Sequence, residues 1–213
     1  EQRAVVFVPE EGQKGVALVV PITAPAISAG ILSSDTLAEL TAADGSLTAQ
    51  LDAVDGTGAI LAIDPAIPAA IRALGENAPA AATEWLDRLM ALPNDRFALQ
   101  YGDADVTPQV DAGLDSLLVP SHLGNFLNAS AASATLSSLL DIGDAPEKLF
   151  WPSPGSADDG TVAALTADSD AHVLAPASST TNDEPALGDS VLAYDDGLAV
   201  ALLEAAREED PDL

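Results

Sequence analysis

The sequence predicts an α/β fold: a parallel (β/α) barrel of about seven strands, with an incomplete or irregular barrel included in the prediction. Strand-length apolar runs alternate with helical apolar spacing along the 213 residues. The clearest strand–helix–strand unit spans residues 59–106, and an acidic or aromatic residue closes each of its strands. Repeated alternation of this kind indicates right-handed crossovers between parallel strands. Roughly six or seven such units favour closure over an open doubly wound sheet, and we expect one domain over 1–213.

The unit at 59–106 shows why each element is predicted. Residues 59–63 form an apolar run that stops at Asp64 and Pro65, because the proline ring ends ladder pairing and pre-sets a helical turn. Helical spacing follows over 67–74 and again over 85–92, and residues 96–101 read as the next strand. Asp64 and Tyr101 therefore stand at strand exits.

The other elements follow the same alternation more weakly. Residues 15–22 are a continuous apolar run typical of a strand covered on both faces, and broken helical spacing follows to residue 55. Beyond residue 105, a helix is predicted around 110–118, and 119–143 has only intermittent helical spacing. The last elements predicted are strands at 148–151, 172–175 and 190–194, helices at 161–166 and 198–207, and a polar loop at 178–188.

Composition excludes several classes of function. With 34 acidic against 7 basic residues, the net charge of −27 repels phosphate groups, so we expect no nucleic-acid partner and no anionic membrane surface. No apolar run reaches the ~20 residues of a membrane helix, so membrane contact is expected only through segments outside this chain. Because the chain has no cysteine, no glycine-rich phosphate loop and only the distant His122 and His172, we expect neither a metal nor a cofactor.

The candidate site residues are those that follow the predicted strands. In a parallel barrel, the loops after the strands assemble the site. Aromatic rings cover the C–H face of a sugar, while carboxylates accept hydrogen bonds from its hydroxyl groups. This pattern predicts two groups of residues: Asp64 and Asp103 as a catalytic pair, and Tyr101, Trp151, Tyr194 and Asp195 as substrate-binding residues. An aspartate at a strand exit is also a good helix cap, and Asp64 fits that role equally well.

If the protein is an enzyme, the carboxylates favour glycoside hydrolysis. Two carboxyl groups about 5–9.5 Å apart can act as acid and as nucleophile or base, and Asp64 with Asp103 is the best pair. The Y-D-D-G sequence at 194–197 superficially resembles the T-F-D-D-G motif of polysaccharide deacetylases. That motif belongs on the first strand and works with an H-x-x-x-H metal pair, which this chain lacks. A metal-dependent deacetylase is therefore the weaker interpretation.

Four phrases carry a resemblance to a known family: AIDPAI, AATEWLDRLMAL, FALQYGDADVTPQVDAGL, and LFWPSPG with the later TVAALTADSDAHVLAPASS. Together they resemble the DUF6049 family of actinobacterial cell-envelope proteins over roughly residues 16–206, with a departure at Gln100, where the family usually has proline. The resemblance implies an extracytoplasmic domain similar to glycoside hydrolase/deacetylase barrels. It also implies a secreted full-length protein anchored by a C-terminal transmembrane helix.

These observations lead to one expected function with two alternatives. We expect a carbohydrate recognition or assembly module of the cell envelope, whose partner is a wall glycan or an envelope protein. The first alternative is a glycoside hydrolase that uses the aspartate pair. The second is a non-catalytic protein–protein scaffold, which would need an exposed apolar patch instead of an aromatic cleft.

Overall fold

The computed structural model describes residues 5–7, 17–26, 30–114, 116–145, 148–153, 156, 158–167, 170–179 and 190–209. The strands in this part of the chain are β1 Val5–Phe7, β2 Ala17–Ile22, β3 Ile60–Ile63, β4 Arg96–Ala98, β5 Lys148–Phe150, β6 Ala171–Pro176 and β7 Val191–Tyr194. The α-helices are α1 Ser34–Leu40, α2 Ser46–Val54, α3 Ala66–Leu74, α4 Ala80–Ala91, α5 Thr107–Asp111, α6 Leu136–Leu140, α7 Asp159–Leu165 and α8 Asp196–Glu209.

The strands form two sheets, so the predicted parallel barrel of about seven strands is wrong. The first sheet has the order β1-β2-β3-β4, in which β1 is antiparallel to β2 and the other pairs are parallel. The second sheet has the order β5-β6-β7, and all its strands are parallel. The barrel also required residues 59–63, 97–100, 149–151 and 191–194 to lie in one central sheet, and this expectation is wrong because they divide between the two sheets.

Short edge strands explain why the sheets stay separate. Closure of a barrel needs a hydrogen-bonded ladder around its whole circumference. Strands β4 and β5 have three residues each, and they approach within 8 Å without pairing in the described part of the chain. Between them, the only α-helices described are α5 and α6, of five residues each, and no strand is described there that could fill the gap. The antiparallel β1 also breaks the parallel order that a (β/α) barrel requires.

Two apolar clusters place the sheets in the molecule. The larger cluster joins β2 and β3 to α1, α2, α3 and α4, and it includes the fully buried Leu47, Leu61 and Leu89. A second cluster lies between the sheets; its buried members are Val19, Ala62 and Phe97 from the first sheet and Trp151, Leu174 and Tyr194 from the second. Side-chain packing, rather than a ladder, therefore holds the sheets together.

Two arginines hold the segment around α6 against the first sheet and its helices. Arg72 donates a hydrogen bond from Nη1 to the Leu139 carbonyl at 2.9 Å. Arg96, which is 7% exposed, donates from Nη1 to the carbonyls of Leu89 and Ile142, both at 3.1 Å. Burial lowers the pKa of both guanidinium groups, but arginine keeps its charge in proteins. We call Arg72 and Arg96 the arginine clamp.

Most of the predicted strands and helices lie at the residues for which the sequence predicted them. Every strand predicted between 15 and 194 is present in the described residues, with ends that coincide with the prediction or differ from it by up to three positions; the strand predicted at 96–101 ends at Ala98, and residues 15 and 16 lie outside the described residues. The helix predicted at 198–207 is confirmed as α8. Most of the polar loop predicted at 178–188 lies outside the described residues. The error is thus in how the strands associate, and not in where they lie.

Candidate functional site

Asp64 lies at the carboxyl end of β3 and is 1% exposed. Its Oδ1 accepts hydrogen bonds from the backbone N–H of Ala66 at 2.8 Å and of Gly102 at 2.9 Å. The first bond satisfies the N–H of the first residue of α3, whose N-cap is Pro65, and the second reaches the turn that follows β4. Asp64 therefore links the exits of two neighbouring parallel strands. The sequence predicted its contact with the start of the following helix but not its contact with the turn after β4.

The carboxyl group of Asp64 has an unusual acidity. Burial raises its pKa from 3.8 to about 6, even though the hydrogen bonds from Ala66 and Gly102 act in the opposite direction. The negative charge of Asp103 raises it further. A carboxyl with a pKa near neutrality can give up or take a proton at physiological pH. The side chain is nonetheless enclosed by protein, which limits what a substrate could reach.

Tyr101 and Asp103 lie in the turn that Asp64 holds. The Tyr101 hydroxyl donates to the Gly30 carbonyl at 2.8 Å, and burial followed by the charge of Asp64 raises the pKa of Tyr101. Gly102 has φ +70° and Asp103 has φ +50°, so two consecutive residues are in the left-handed region. That conformation is unusual for an aspartate and costs of order 1 kcal/mol. The Asp103 side chain is exposed beside the buried Asp64.

Trp151 and Tyr194 are placed differently from the sequence prediction. They follow or end strands of the second sheet as expected, but both are buried, with exposed fractions of 9% and 5%. Both belong to the apolar cluster between the sheets. Stacking on a sugar requires an exposed ring face, so neither ring lies where a glycan could stack on it.

Asp195 follows β7 and is exposed. Its Oδ1 accepts a hydrogen bond from the N–H of Leu198 at 2.9 Å, which is the bonding of a helix cap at the start of α8. Asp105 accepts similarly from the N–H of Thr107 at 3.0 Å, at the start of α5. Both aspartates satisfy free N–H groups at helix starts, and capping is the role that their contacts describe.

Of the six predicted site residues, the structure brings together Asp64, Tyr101 and Asp103 at the exits of β3 and β4, and Trp151 lines a small cavity with Asp103. Sequence reasoning missed Gly102, whose N–H supplies the link to Asp64. A glycine within Tyr-Gly-Asp, directly after a strand, could have indicated this left-handed turn. It also missed Gln100, whose backbone carbonyl accepts a hydrogen bond from the N–H of Asp103 at 2.9 Å.

Among the described residues, no group of three or more His, Asp and Glu side chains is arranged to hold a metal ion. None of the helices in the same ranges is long and apolar enough to cross a membrane.

Comparison with known proteins identifies no relative of the chain: no protein-family model matches it, and neither curated proteins nor solved structures include a significant match. The resemblance to the DUF6049 family therefore stays a prediction from the sequence phrases.

Proposed function

We propose that the chain is a non-catalytic recognition or assembly module of the bacterial cell envelope, and that its partner is a protein. The burial of Trp151 and Tyr194 carries this proposal, because it removes two of the three aromatic rings on which a glycan could have stacked. The contacts of Asp64 and Asp195 with helix-start N–H groups also favour structural roles for these carboxylates. The envelope setting is supported by the resemblance to the DUF6049 family.

An exposed apolar surface between α5 and α6 is the best candidate for the contact. Leu114, Leu118 and Val119 are 43%, 67% and 72% exposed. The N–H groups of Leu114 and Leu118 donate to the backbone oxygen and the side-chain Oε1 of Gln109, at 3.3 and 2.7 Å. Both leucines therefore lie around one residue of α5. We call Leu114, Leu118 and Val119 the leucine patch.

The charge of the chain specifies what kind of protein would bind there. A net charge of −27 attracts positively charged surfaces and repels acidic ones. Complementary charge speeds association and selects partners, while apolar contacts at the centre of an interface supply most of the affinity. We therefore expect a partner with an apolar contact surrounded by lysine and arginine residues.

Replacing Leu118 by serine is expected to weaken partner binding at least about tenfold, since it removes a large apolar contact. A photo-crosslinking residue at position 119, in protein exported by an actinobacterial host, would identify the partner. Titration of the purified partner by calorimetry would then measure the loss. Val200→Ser is the matched control, because Val200 is 55% exposed on α8 and lies outside the leucine patch.

An equal loss of affinity for Leu118→Ser and Val200→Ser would count against the leucine patch as the contact. Saturable binding of a peptidoglycan or arabinogalactan fragment that changes tryptophan fluorescence in the wild type, and not in Trp151→Ala, would count against a protein partner. This second result would restore the glycan interpretation.

Glycoside hydrolysis is a second candidate because one observation favours it. The pKa of Asp64, raised to about 6 beside Asp103, is the property that a general acid needs near neutral pH. Its 1% exposure argues against access for a sugar.

A reducing-sugar assay on wall glycans tests this candidate directly. With the proposed non-catalytic role, wild type, Asp64→Asn and Asp103→Asn are all expected to release no more sugar than buffer. Hydrolysis by the wild type that falls at least about a hundredfold in Asp64→Asn would establish catalysis instead.

A further inference from the structure

A small cavity lies where the edge strands of the two sheets approach each other. It is enclosed by the exits of β4 and β5, and its lining residues are Leu99, Gln100, Asp103, Ala104, Val106, Leu149, Phe150 and Trp151. The cavity leaves about 10 Å³ for the centre of a water-sized group. That volume is close to the minimum that holds a single water molecule, about 10–15 Å³. No sugar ring or nucleotide fits such a space.

Two lining residues have buried polar atoms without a hydrogen-bond partner in the structure. They are the Oε1 of Gln100 and the Nε1 of Trp151. One atom accepts hydrogen bonds and the other donates. Leaving either of them unpaired in a protein interior costs about 1–3 kcal/mol, so native proteins almost always satisfy them. Gln100 and Trp151 line the same cavity, so a polar group held there is placed to satisfy both atoms.

The two atoms define the chemistry of the occupant. An ammonium group cannot accept from Trp151 Nε1–H, and a carboxylate cannot donate to Gln100 Oε1. An apolar group would leave both atoms unsatisfied. A hydroxyl group or a water molecule accepts from the one and donates to the other with a single oxygen. Water also satisfies the opposite orientation of the Gln100 amide, because it can donate and accept twice.

We propose that this cavity is a binding site for one hydroxyl-sized group, resident water in the free protein, held between Trp151 Nε1 and Gln100 Oε1. The bound oxygen joins the exit of β4 to the exit of β5, at the edge where the described strands of the two sheets form no ladder with each other. Trp151 then has a defined polar role in addition to its apolar packing. Bridging waters of this kind are nearly as favourable in enthalpy as direct hydrogen bonds.

The two tryptophans of the chain make a test with an internal control. Trp85 Nε1 donates to the Leu47 carbonyl at 2.8 Å, so its indole proton has a protein partner. In ¹⁵N-labelled protein, the indole proton of Trp151 is expected to show a cross-peak to long-lived bound water. The indole proton of Trp85 is expected to show no such cross-peak. The Trp151→Phe and Trp85→Phe variants assign the two resonances. The cross-peak is expected to disappear in Gln100→Leu, which fills the cavity with an apolar group.

Adding methanol distinguishes the two sources of the hydroxyl group. A water cross-peak that persists at Trp151 identifies a site for water alone, whereas a cross-peak from Trp151 to the methanol methyl group identifies a site open to ligand hydroxyls. Both results support the proposal. The absence of both cross-peaks at Trp151 would overturn it, as would water cross-peaks of equal strength at both tryptophans.

Discussion

Replacing Arg96 by methionine is expected to lower the free energy of unfolding by about 3 kcal/mol. Arg96 is 7% exposed, and it donates to the carbonyls of Leu89, Leu92, Asn94 and Ile142. Leu89 and Leu92 lie at the carboxyl end of α4, where the last carbonyls of a helix lack the usual i+4 partner, and the Leu89 carbonyl also accepts from the N–H of Leu92 at 3.3 Å. Methionine fills a similar volume but removes the hydrogen bonds of arginine to all four carbonyls. Urea unfolding followed by circular dichroism would measure the loss.

Arg88 is the matched control for this substitution. It pairs with Asp52 at 2.6 Å, but the side chains of both residues are about half exposed, at 46% and 59%. Exposed ion pairs contribute little, so Arg88→Met is expected to change the free energy of unfolding by no more than about 0.5 kcal/mol. Arg96→Lys should recover less than half of the loss, because one ammonium group cannot reach carbonyls on both sides. Equal effects at Arg88 and Arg96 would contradict the role of the arginine clamp.

When the pH falls from about 7 to about 4.5, the free energy of unfolding of the wild type is expected to rise by about 2 kcal/mol relative to that of Asp64→Asn. The ordinary pKa of an aspartate is 3.8, and burial raises the pKa of Asp64 to about 6 in the folded state. Burial therefore favours the protonated carboxyl, and the folded protein binds a proton that the unfolded chain does not. The destabilisation that the buried Asp64 charge causes is largest above pH 6, where the carboxylate is ionised in the folded protein. It decreases as the pH falls toward 3.8.

The comparison with asparagine isolates Asp64 from the other acids. Lower pH also relieves repulsion among the 34 acidic residues, but that effect is common to both proteins. Asparagine keeps the side-chain oxygen that accepts from Ala66 and Gly102, so the fold is expected to survive. Urea unfolding of both proteins at both pH values would measure how much more the free energy of unfolding changes with pH in the wild type than in Asp64→Asn. A difference near zero would mean that the pKa of Asp64 in the folded protein is close to that of an exposed aspartate.

The sequence predicted the strands because their signals are local. An apolar run that ends at proline, as at Asp64-Pro65, needs only neighbouring residues to form a strand exit. The association of the strands depends instead on contacts across the chain. The weak spacing over 119–143 gave no sign that this segment would pack on α3 and be held by Arg72 and Arg96.

The candidate site was predictable to a similar extent. Asp64 follows a strand and precedes a helix, so its position and its capping contact follow from the local order of elements. The burial of Trp151 and Tyr194 follows from the way in which the second sheet meets the first, and strand exits alone do not determine it. An aromatic residue after a strand can thus face a core as readily as a solvent-exposed rim.

The separation of the sheets has a consequence for how the protein opens. Cooperative units in proteins tend to coincide with contiguous hydrogen-bonded motifs. In the described ranges, no backbone ladder passes from the first sheet to the second, and the larger apolar cluster draws its buried members from the first sheet and its helices. Fluctuations that release β6 from its neighbours need not disturb β2 and β3. Amide protons of β6 should therefore exchange with solvent from a partly opened form, in which the first sheet keeps its protection.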